Sequence, residues 1–285
     1  MKPGVVGYVP GDPAQITPAV ARTIHDHGYA GTTVRIAAPL EADEATLRRA
    51  GQVLRDGGVQ VVQCNPQYEM LVHPDDATRR LGVRQLQAAA RCARWLGAHN
   101  TYIRPGSLSP HGPWRPYPGN NHLATIERLM TSLREVVKAG EEEGVPYAIE
   151  GAAVSPLDTP ERVRDVLEAI GSPMLGFNAD PVNFVRSLDE LFDNAALTNK
   201  LFDLCGHWVV CAHVKDVDYV SQLTVRMEEV PLGEGAFDQV TFARRFEAVR
   251  PDGYFMLEHL RDEQYPTAKA NLDRMLAAAG IAWSS

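Results

Sequence analysis

The sequence predicts an α/β protein, a (β/α)₈ TIM barrel formed as a single domain over residues 1–285. Short apolar runs rich in Val, Ile and Tyr alternate with longer amphipathic stretches, a pattern typical of parallel strands joined by right-handed helical crossovers. There are eight such runs, and eight favour closure into a barrel over an open sheet. No GxGxxG follows the first run, which makes an open dinucleotide-binding sheet less favoured. The chain length also agrees with the about 250 residues that such a barrel needs.

The strand-like runs are predicted at residues 5–9, 32–36, 60–63, 101–104, 147–150, 175–177, 209–215 and 254–258. The helices, whose apolar residues recur at three- and four-residue spacing, are predicted at 17–27, 42–56, 75–96, 121–143, 160–170, 188–204, 237–249 and 267–279. Thr159 before Pro160 is typical of a helix N-cap followed by a first-turn proline. Residues 105–120 and 217–236 follow strands, so these long loops should rise over the mouth of the barrel as lids or substrate walls.

Composition excludes several classes of function. The chain has 28 Lys and Arg against 36 Asp and Glu, a net charge of −8 that disfavours nucleic-acid binding. Its four cysteines form no CxxC pair and are expected to be buried thiols. No run of about 18 apolar residues predicts a membrane span, and no signal-like segment is evident. The expected location is therefore cytoplasmic.

Residues able to bind a metal lie at or just past the end of each of the last four predicted strands. Glu150 lies in YAIEG, Asp180 lies in GFNADPVNF, His213 lies in VVCAHVKD and Glu258 ends FMLE. Successive members are about one βα unit apart, so all four side chains should arrive at one level of the barrel mouth. Three carboxylates meeting there without a cation would repel one another. The set therefore predicts one divalent metal ion, Mn²⁺ first, with Mg²⁺, Co²⁺ or Zn²⁺ as alternatives.

The segments YAIEG, GFNADPVNF, AHVKD, PLGEGAFD and MLEH together resemble the xylose isomerase-like TIM barrels of the sugar phosphate isomerase and epimerase type. This group includes relatives of D-tagatose 3-epimerase and inosose dehydratase. The resemblance implies that Glu150, Asp180, His213 and Glu258 bind the metal. It also implies that Glu150 and Glu258 are catalytic and move the proton. Such chemistry agrees with physical expectation, because a carboxylate on each face of a keto-sugar can remove and return a proton while a metal stabilises the enediolate.

Two departures from the ketose 3-epimerases of this group bear on the reaction. Those enzymes usually carry a His where this chain has Asn183, and an Arg a few residues past the position of His213, where this chain has Lys215 and Asp216. An isomerase or epimerase remains the main hypothesis. The alternative is a lyase with the same metal site, either an inosose-type dehydratase or a 3-oxo-glycoside deglycosidase. The endonucleases of the group need further histidines, which QCNP and YIRPG lack, and a catalytically silent barrel would predict an incomplete ligand set.

Other strand ends and loops supply candidates for substrate binding. Arg104, after the fourth strand, is expected either to hold a substrate oxygen or to pair with a ligand carboxylate. Lys215 lies two residues beyond His213 and therefore faces the same side of the strand. His111 and Trp114 lie in the 105–120 loop, where an acid–base group and a stacking ring would suit a sugar. The remaining candidates are Asn65, Asn183 and Arg261.

Two charged residues are expected to have structural roles instead. Asp216 follows Lys215 and His259 follows Glu258, so each should point to the opposite side of its strand from a site residue. Asp216 is therefore expected to be structural, and His259 to be a packed, hydrogen-bonded histidine. Gly233 and Gly235 of PLGEGAFD are expected to shape the turn into the next helix. The expected partner is a small sugar or polyol, with no nucleic acid and no membrane, and assembly into a homo-oligomer is left open.

Overall fold

A closed barrel of eight parallel strands forms the centre of the computed structural model, which describes residues 1–284. Neighbouring strands follow one another in sequence around the barrel, and the last strand closes against the first. The (β/α)₈ prediction is therefore confirmed. The barrel strands are β1 (Lys2–Val5), β2 (Gly31–Ile36), β3 (Gln60–Pro66), β4 (Asn100–Ile103), β5 (Tyr147–Ile149), β6 (Leu175–Ala179), β7 (Val209–Val214) and, after a hairpin described below, β10 (Tyr254–Leu257).

The helices surround the barrel and begin and end close to the predicted residues. Thr159 caps one of them through its hydroxyl, which accepts a hydrogen bond from the Arg162 N–H at 3.2 Å. The predicted helix at 188–204 is broken at Asp193 into two helices. The helices are α1 (Pro18–Asp26), α2 (Glu44–Asp56), α3 (Asp76–Leu96), α4 (Leu123–Glu143), α5 (Pro160–Ile170), α6 (Leu188–Phe192), α7 (Asn194–Cys205), α8 (Gln239–Val249) and α9 (Tyr265–Ala278).

Apolar side chains fill the space between the strands and the helices. Phe255 of β10 contacts Phe242 and Phe246 of α8, with ring centroids 4.6 and 5.6 Å apart. Each such ring contributes about 1.5–3 kcal/mol by leaving water. The Met256 side chain of β10 fills the space beside Gly4 of β1, since a Cβ on Gly4 would lie only 2.1 Å from the Met256 sulfur. All four cysteines are free and buried, as expected.

Two predicted segments differ from the structure. The first strand is β1 at Lys2–Val5 and not residues 5–9, because Gly7 takes a positive φ of 77° that turns the chain out of the sheet. The 217–236 loop, predicted to be irregular, contains an antiparallel hairpin of β8 (Asp216–Val220) and β9 (Arg226–Val230). Across residues 1–284, none of the helices combines the length and the apolar character that a membrane crossing requires.

Candidate active site

Ionisable side chains meet, almost wholly buried, where four barrel strands end. Glu150 follows β5, Asp180 follows β6 and Glu258 follows β10, while His213 and Lys215 lie at the end of β7. None of the five is more than 5% exposed. The backbone hydrogen bonds of the barrel extend to Glu150 and Glu258. Their N–H groups donate to the carbonyls of Ile103 and Val214 on the neighbouring strands, each at 3.0 Å. The barrel backbone therefore fixes the Cα positions of both glutamates.

His213 lies between the two glutamates. Its Nδ1 is 3.2 Å from Glu150 Oε1 and 2.9 Å from Glu258 Oε2, yet it has no hydrogen-bond partner of acceptable geometry. Its other nitrogen, Nε2, is 3.0 Å from Gln63 Oε1. Burial alone would lower the pKa of His213, but the two carboxylates raise this pKa to about 10. The carboxylates thus favour a positive charge beside Nδ1, which either a proton or a metal can supply.

Lys215 connects Asp180 to Glu258. Its ammonium group donates to Asp180 Oδ2 at 2.5 Å and to Glu258 Oε1 at 2.7 Å. Burial raises the pKa of Asp180 to about 7 against the opposing effect of Lys215. Burial also acts to raise the pKa of Glu258, but Lys215 and His213 hold it well below its usual value. Glu258 is therefore ionised at neutral pH, and Lys215 is the cation that keeps it so.

Glu150 is held differently, by neutral donors. The Asn178 amide donates to Oε1 at 2.7 Å and the Tyr102 hydroxyl donates to Oε2 at 2.5 Å. The Tyr102 ring also lies against the His213 imidazole, with centroids 5.5 Å apart. The two glutamates consequently face one another across His213 in unlike environments, one fixed by hydrogen bonds and the other by ionic contacts.

The fold brings the predicted metal ligands together, and the Lys215 ammonium group lies among them. Glu150, His213 and Glu258 are in contact, and Asp180 joins them through Lys215. Within residues 1–284, no group of three or more His, Cys, Asp or Glu is spaced to enclose a metal ion. The donor set nevertheless suits one, since Asp180 Oδ1 and His213 Nδ1 are buried polar atoms without hydrogen-bond partners beside three carboxylates. Metal binding by these four residues stays a prediction.

Arg104 lies on the other side of the mouth, after β4. Its guanidinium stacks over the Tyr68 ring, 4.6 Å from the ring centroid, and donates to the Pro66 carbonyl at 3.0 Å. The expected alternative of a salt bridge to a ligand carboxylate is wrong, because no acidic oxygen of residues 1–284 lies within 4.0 Å of it. Arg104 and His111 line a cleft of about 320 Å³. Their charge and hydrogen-bonding capacity are thus directed to a space that a ligand can enter.

A second cleft, of about 230 Å³, opens on the charged cluster itself. Lys215, Glu258 and Arg261 line it together with Glu229 from β9. Arg261 is exposed and its guanidinium pairs with Glu263 at 2.9 Å. This cleft gives a small molecule its access to two of the buried side chains.

Three predicted substrate-binding residues line neither cleft. Asn65 is half-buried in β3, opposite Arg35 of β2. Asn183 lies in a short 3-10 turn after β6, where its carbonyl accepts a hydrogen bond from the Ala153 N–H at 2.9 Å. Trp114 is half-buried in the 105–120 loop. Their roles in substrate binding stay predictions.

Comparison with known families places the fold. The family described as Xylose isomerase-like TIM barrel matches residues 21–281. The chain belongs to this family. Comparison of the sequence with curated proteins finds no match.

Several solved structures have the same fold. A D-tagatose 3-epimerase-like protein is 16% identical with a TM-score of 0.74, and 98% of each chain is covered. The probable 3-DHS dehydratase AsbF from Bacillus anthracis is 14% identical with a TM-score of 0.71, covering 98% of this chain and 99% of its own. A family protein from Mycobacterium smegmatis in complex with magnesium is 16% identical with a TM-score of 0.71, covering 97% and 96%. At these identities the likeness extends to the fold alone.

The structure also corrects the expectation for His259 in this barrel. His259 is not a packed histidine, because its positive φ of 58° turns it back toward the site and leaves its side chain 53% exposed. Its Nδ1 lies 2.7 Å from Glu229 and its Nε2 lies 3.6 Å from Glu258. The structural role predicted for Asp216 is confirmed: its carboxylate accepts four backbone N–H bonds. Two of the donors are Gly233 and Gly235, and a Cβ on Gly235 would lie 2.3 Å from Asp216 Oδ1.

Sequence reasoning missed several residues that contact the cluster. Gln63 and Asn178 are polar residues within otherwise apolar strands, which is the only signal that they carry in the sequence. Tyr102 lies two residues before Arg104 and so faces the same side of its strand. Glu229 comes from the hairpin that was predicted as irregular loop, so no strand register pointed to it.

Proposed function

We propose that this protein is a divalent-metal-dependent isomerase or epimerase of a sugar, keto-sugar or polyol. The observation that carries the proposal is the pair of buried glutamates, Glu150 and Glu258, whose carboxylates lie 3.2 and 2.9 Å from one atom of His213. They come from β5 and β10, which two other strands separate around the barrel. Two carboxylates so placed can act on a bound molecule from different sides.

The metal would be held by Glu150, Asp180, His213 and Glu258. The chemistry of this donor set supports a hard or borderline ion, with Mn²⁺ the first expectation. When bound, the ion supplies a Lewis acid that stabilises negative charge developing on substrate oxygens. A relative of the same family was crystallised in complex with magnesium, which agrees with this assignment.

The glutamates would move the proton. Glu258 is ionised at neutral pH because Lys215 and His213 hold its pKa well below the usual range, so it can accept a proton from the carbon next to a carbonyl. Glu150, oriented by Tyr102 and Asn178, would take up a proton from solvent and deliver it to the other face of that carbon, and Glu258 would release its own proton to solvent. One proton leaves and one returns, so the substrate is isomerised without gain or loss of atoms.

The two clefts supply groups for a hydroxylated substrate. Arg104 and His111 line one of them, and Lys215, Glu229 and Arg261 line the other. Charged and hydrogen-bonding side chains of this kind match the many hydroxyl groups of a sugar. The name of the D-tagatose 3-epimerase-like structure points to the same class of molecule.

A lyase of the same barrel family is the second candidate. His259 favours it, because the pKa of this exposed imidazole is raised, chiefly by Glu258 only 3.6 Å away. A protonated His259 could donate its proton to a departing hydroxyl group, which would leave as water after Glu258 has removed the neighbouring carbon-bound proton. One neighbour is named a probable dehydratase, and Asn183 stands where ketose 3-epimerases usually carry His.

Solvent deuterium exchange separates these reactions. The Mn²⁺-loaded protein is incubated in D₂O with a panel of ketoses and 3-keto-glycosides, and the products are followed by proton NMR. Deuterium in a recovered sugar or its epimer supports the isomerase, and an unsaturated product supports the lyase. Glu150→Gln and Glu258→Gln should stop both, whereas Glu228→Gln, which changes an exposed glutamate of β9, should not. Wild-type protein that binds no metal and exchanges no substrate would refute the proposal.

A further inference from the structure

A buried polar network lies beneath the charged cluster, inside the barrel. It consists of three amide side chains and the His213 imidazole, none more than 2% exposed, and the amides are Gln63, Asn100 and Asn178. Barrel interiors are usually filled by branched apolar residues, and burying an amide costs free energy unless its groups are hydrogen-bonded. Packing alone therefore does not account for Gln63 at the centre of this network.

We infer that Gln63 is a positioning residue that holds the His213 ring with Nε2–H directed at its own carbonyl oxygen, so that Nδ1 is presented to Glu150 and Glu258. The two atoms that make this contact, His213 Nε2 and Gln63 Oε1, are 3.0 Å apart. The inference rests on the proposed function in one respect only, namely that Nδ1 is there to bind a divalent metal.

The direction of each hydrogen bond in the network follows from one carboxylate. Both Glu150 oxygens accept hydrogen bonds, Oε2 from the Tyr102 hydroxyl and Oε1 from the Asn178 NH₂ at 2.7 Å. The Asn178 carbonyl then faces Gln63, whose NH₂ lies 3.4 Å from it and donates to Asn100 Oδ1 at 2.9 Å. That leaves the Gln63 carbonyl for His213, and a carbonyl can only accept. The His213 nitrogen facing it must therefore carry the proton.

Two irregularities in strand pairing lie next to residues of the network. β3 reaches β6 and β7 only across the barrel interior, since β4 and β5 separate them around the wall. The β2–β3 register shifts at Val62, directly before Gln63. A second shift, between β6 and β7, skips Val210 of β7 opposite the Phe177–Asn178 pair. Such irregularities re-aim side chains next to functional sites, and here they lie on β3 and β7, the two strands that carry Gln63 and His213.

A ligand histidine whose second nitrogen is hydrogen-bonded binds metal more tightly, because its orientation and tautomer are already set. Loss of such a partner typically weakens metal affinity by about 10–100-fold. We therefore expect Gln63→Met, which keeps the volume but removes the acceptor, to weaken Mn²⁺ binding by about that factor. Gln63→Glu keeps an acceptor oxygen for Nε2–H and should bind Mn²⁺ about tenfold or more tightly than Gln63→Met does.

The experiment measures Mn²⁺ affinity by isothermal titration calorimetry and the His213 ring by ¹⁵N NMR of the metal-free protein. In the wild type, the His213 Nε2 proton should exchange slowly with solvent, and Gln63→Met should abolish this protection. The matched control is Thr101→Val, which removes a buried hydroxyl that has no hydrogen-bond partner. It should change neither measurement, although it perturbs the neighbouring strand.

The outcomes separate the inference from the proposed function. A folded Gln63→Met protein with wild-type Mn²⁺ affinity, or with an unchanged Nε2 proton, overturns the inference while the metal site stands. A wild-type protein that binds no Mn²⁺ overturns the proposed function and the affinity claim together. If Gln63→Met fails to fold, the wild-type ring still decides, because a His213 ring without a protected Nε2 proton contradicts the role of Gln63.

Discussion

The two sides of the barrel mouth differ in how far the protein satisfies its own polar groups. At the ends of β5, β6, β7 and β10, buried carboxylates are matched by Lys215 and by neutral donors. Around β3 and β4, Arg104 is half-buried and His111 exposed, and both line an open cleft. Groups that are preorganised and hidden from water act most strongly on charge that develops during a reaction. Groups that face an open cleft are suited to recognition, so the proposed chemistry belongs to the first side and the proposed substrate binding to the second.

The largest expected effect is on the chemistry side. Replacing Glu150 or Glu258 by Gln should lower kcat by about 10²–10⁴-fold, the usual contribution of a general acid or base. Steady-state kinetics on the substrate identified by exchange would measure this, with Glu228→Gln as the control. Near-normal kcat in both variants would show that the glutamates take no part in the mechanism, and the difference proposed between the two sides of the mouth would be wrong.

Lys215→Met should have the next largest effect, and on stability. It leaves Asp180 and Glu258 buried without their cation, and breaking a buried ion pair in this way costs about 3–5 kcal/mol. Urea unfolding of the metal-free protein would measure the loss. Lys200→Met, which removes an exposed lysine paired with Glu161, should cost about 1 kcal/mol or less. A Lys215→Met loss as small as that of the control would show that the cluster is not held by this lysine.

Arg104→Gln should act on binding rather than on chemistry. Loss of a hydrogen bond to a charged group is worth about 1.5–3 kcal/mol, so KM should rise about tenfold or more while kcat changes little. Arg115→Gln, in the same loop but exposed, is the matched control and should leave KM unchanged. A fall in kcat with constant KM would place Arg104 on the chemistry side instead.

The smallest effect concerns the contact between His259 and Glu229. The Glu258 and Glu229 carboxylates raise the pKa of His259, so its protonated form is stabilised in the folded protein. That stabilisation is fully present below the unfolded pKa of about 6.5 and is lost as pH rises through the higher folded value. Because the pair is half-exposed, it should amount to at most about 1 kcal/mol. Urea unfolding of wild type and Glu229→Gln at increasing pH should show a difference that shrinks, and a constant difference would contradict it.

Periodicity and strand ends predicted much of this molecule. The barrel, most helix limits and the meeting of Glu150, Asp180, His213 and Glu258 follow from βα alternation, because parallel strands end at one face. Local geometry was harder to predict. The apolar run at 5–9 gave no sign that Gly7 would take a positive φ and that β1 would end at Val5. The side chain of His259 turns back at a positive φ that only the folded loop reveals.

The support beneath the site could not be predicted because it joins strands that are distant around the barrel. Gln63 of β3 contacts His213 of β7 only across the interior, and sequence spacing carries no information about that pairing. Lys215 was expected to face the site, but not to lie between Asp180 and Glu258. Its position there depends on the final side-chain packing and on the charges around it.

Anomalous scattering from a crystal grown with Mn²⁺ tests the central claim most directly. The account predicts one strong peak per chain, within about 2.5 Å of ligand atoms of Glu150, Asp180, His213 and Glu258, and weakened in an Asp180→Asn crystal. No peak at this position, or a peak held by other residues, would contradict the claim that these four side chains share a cation.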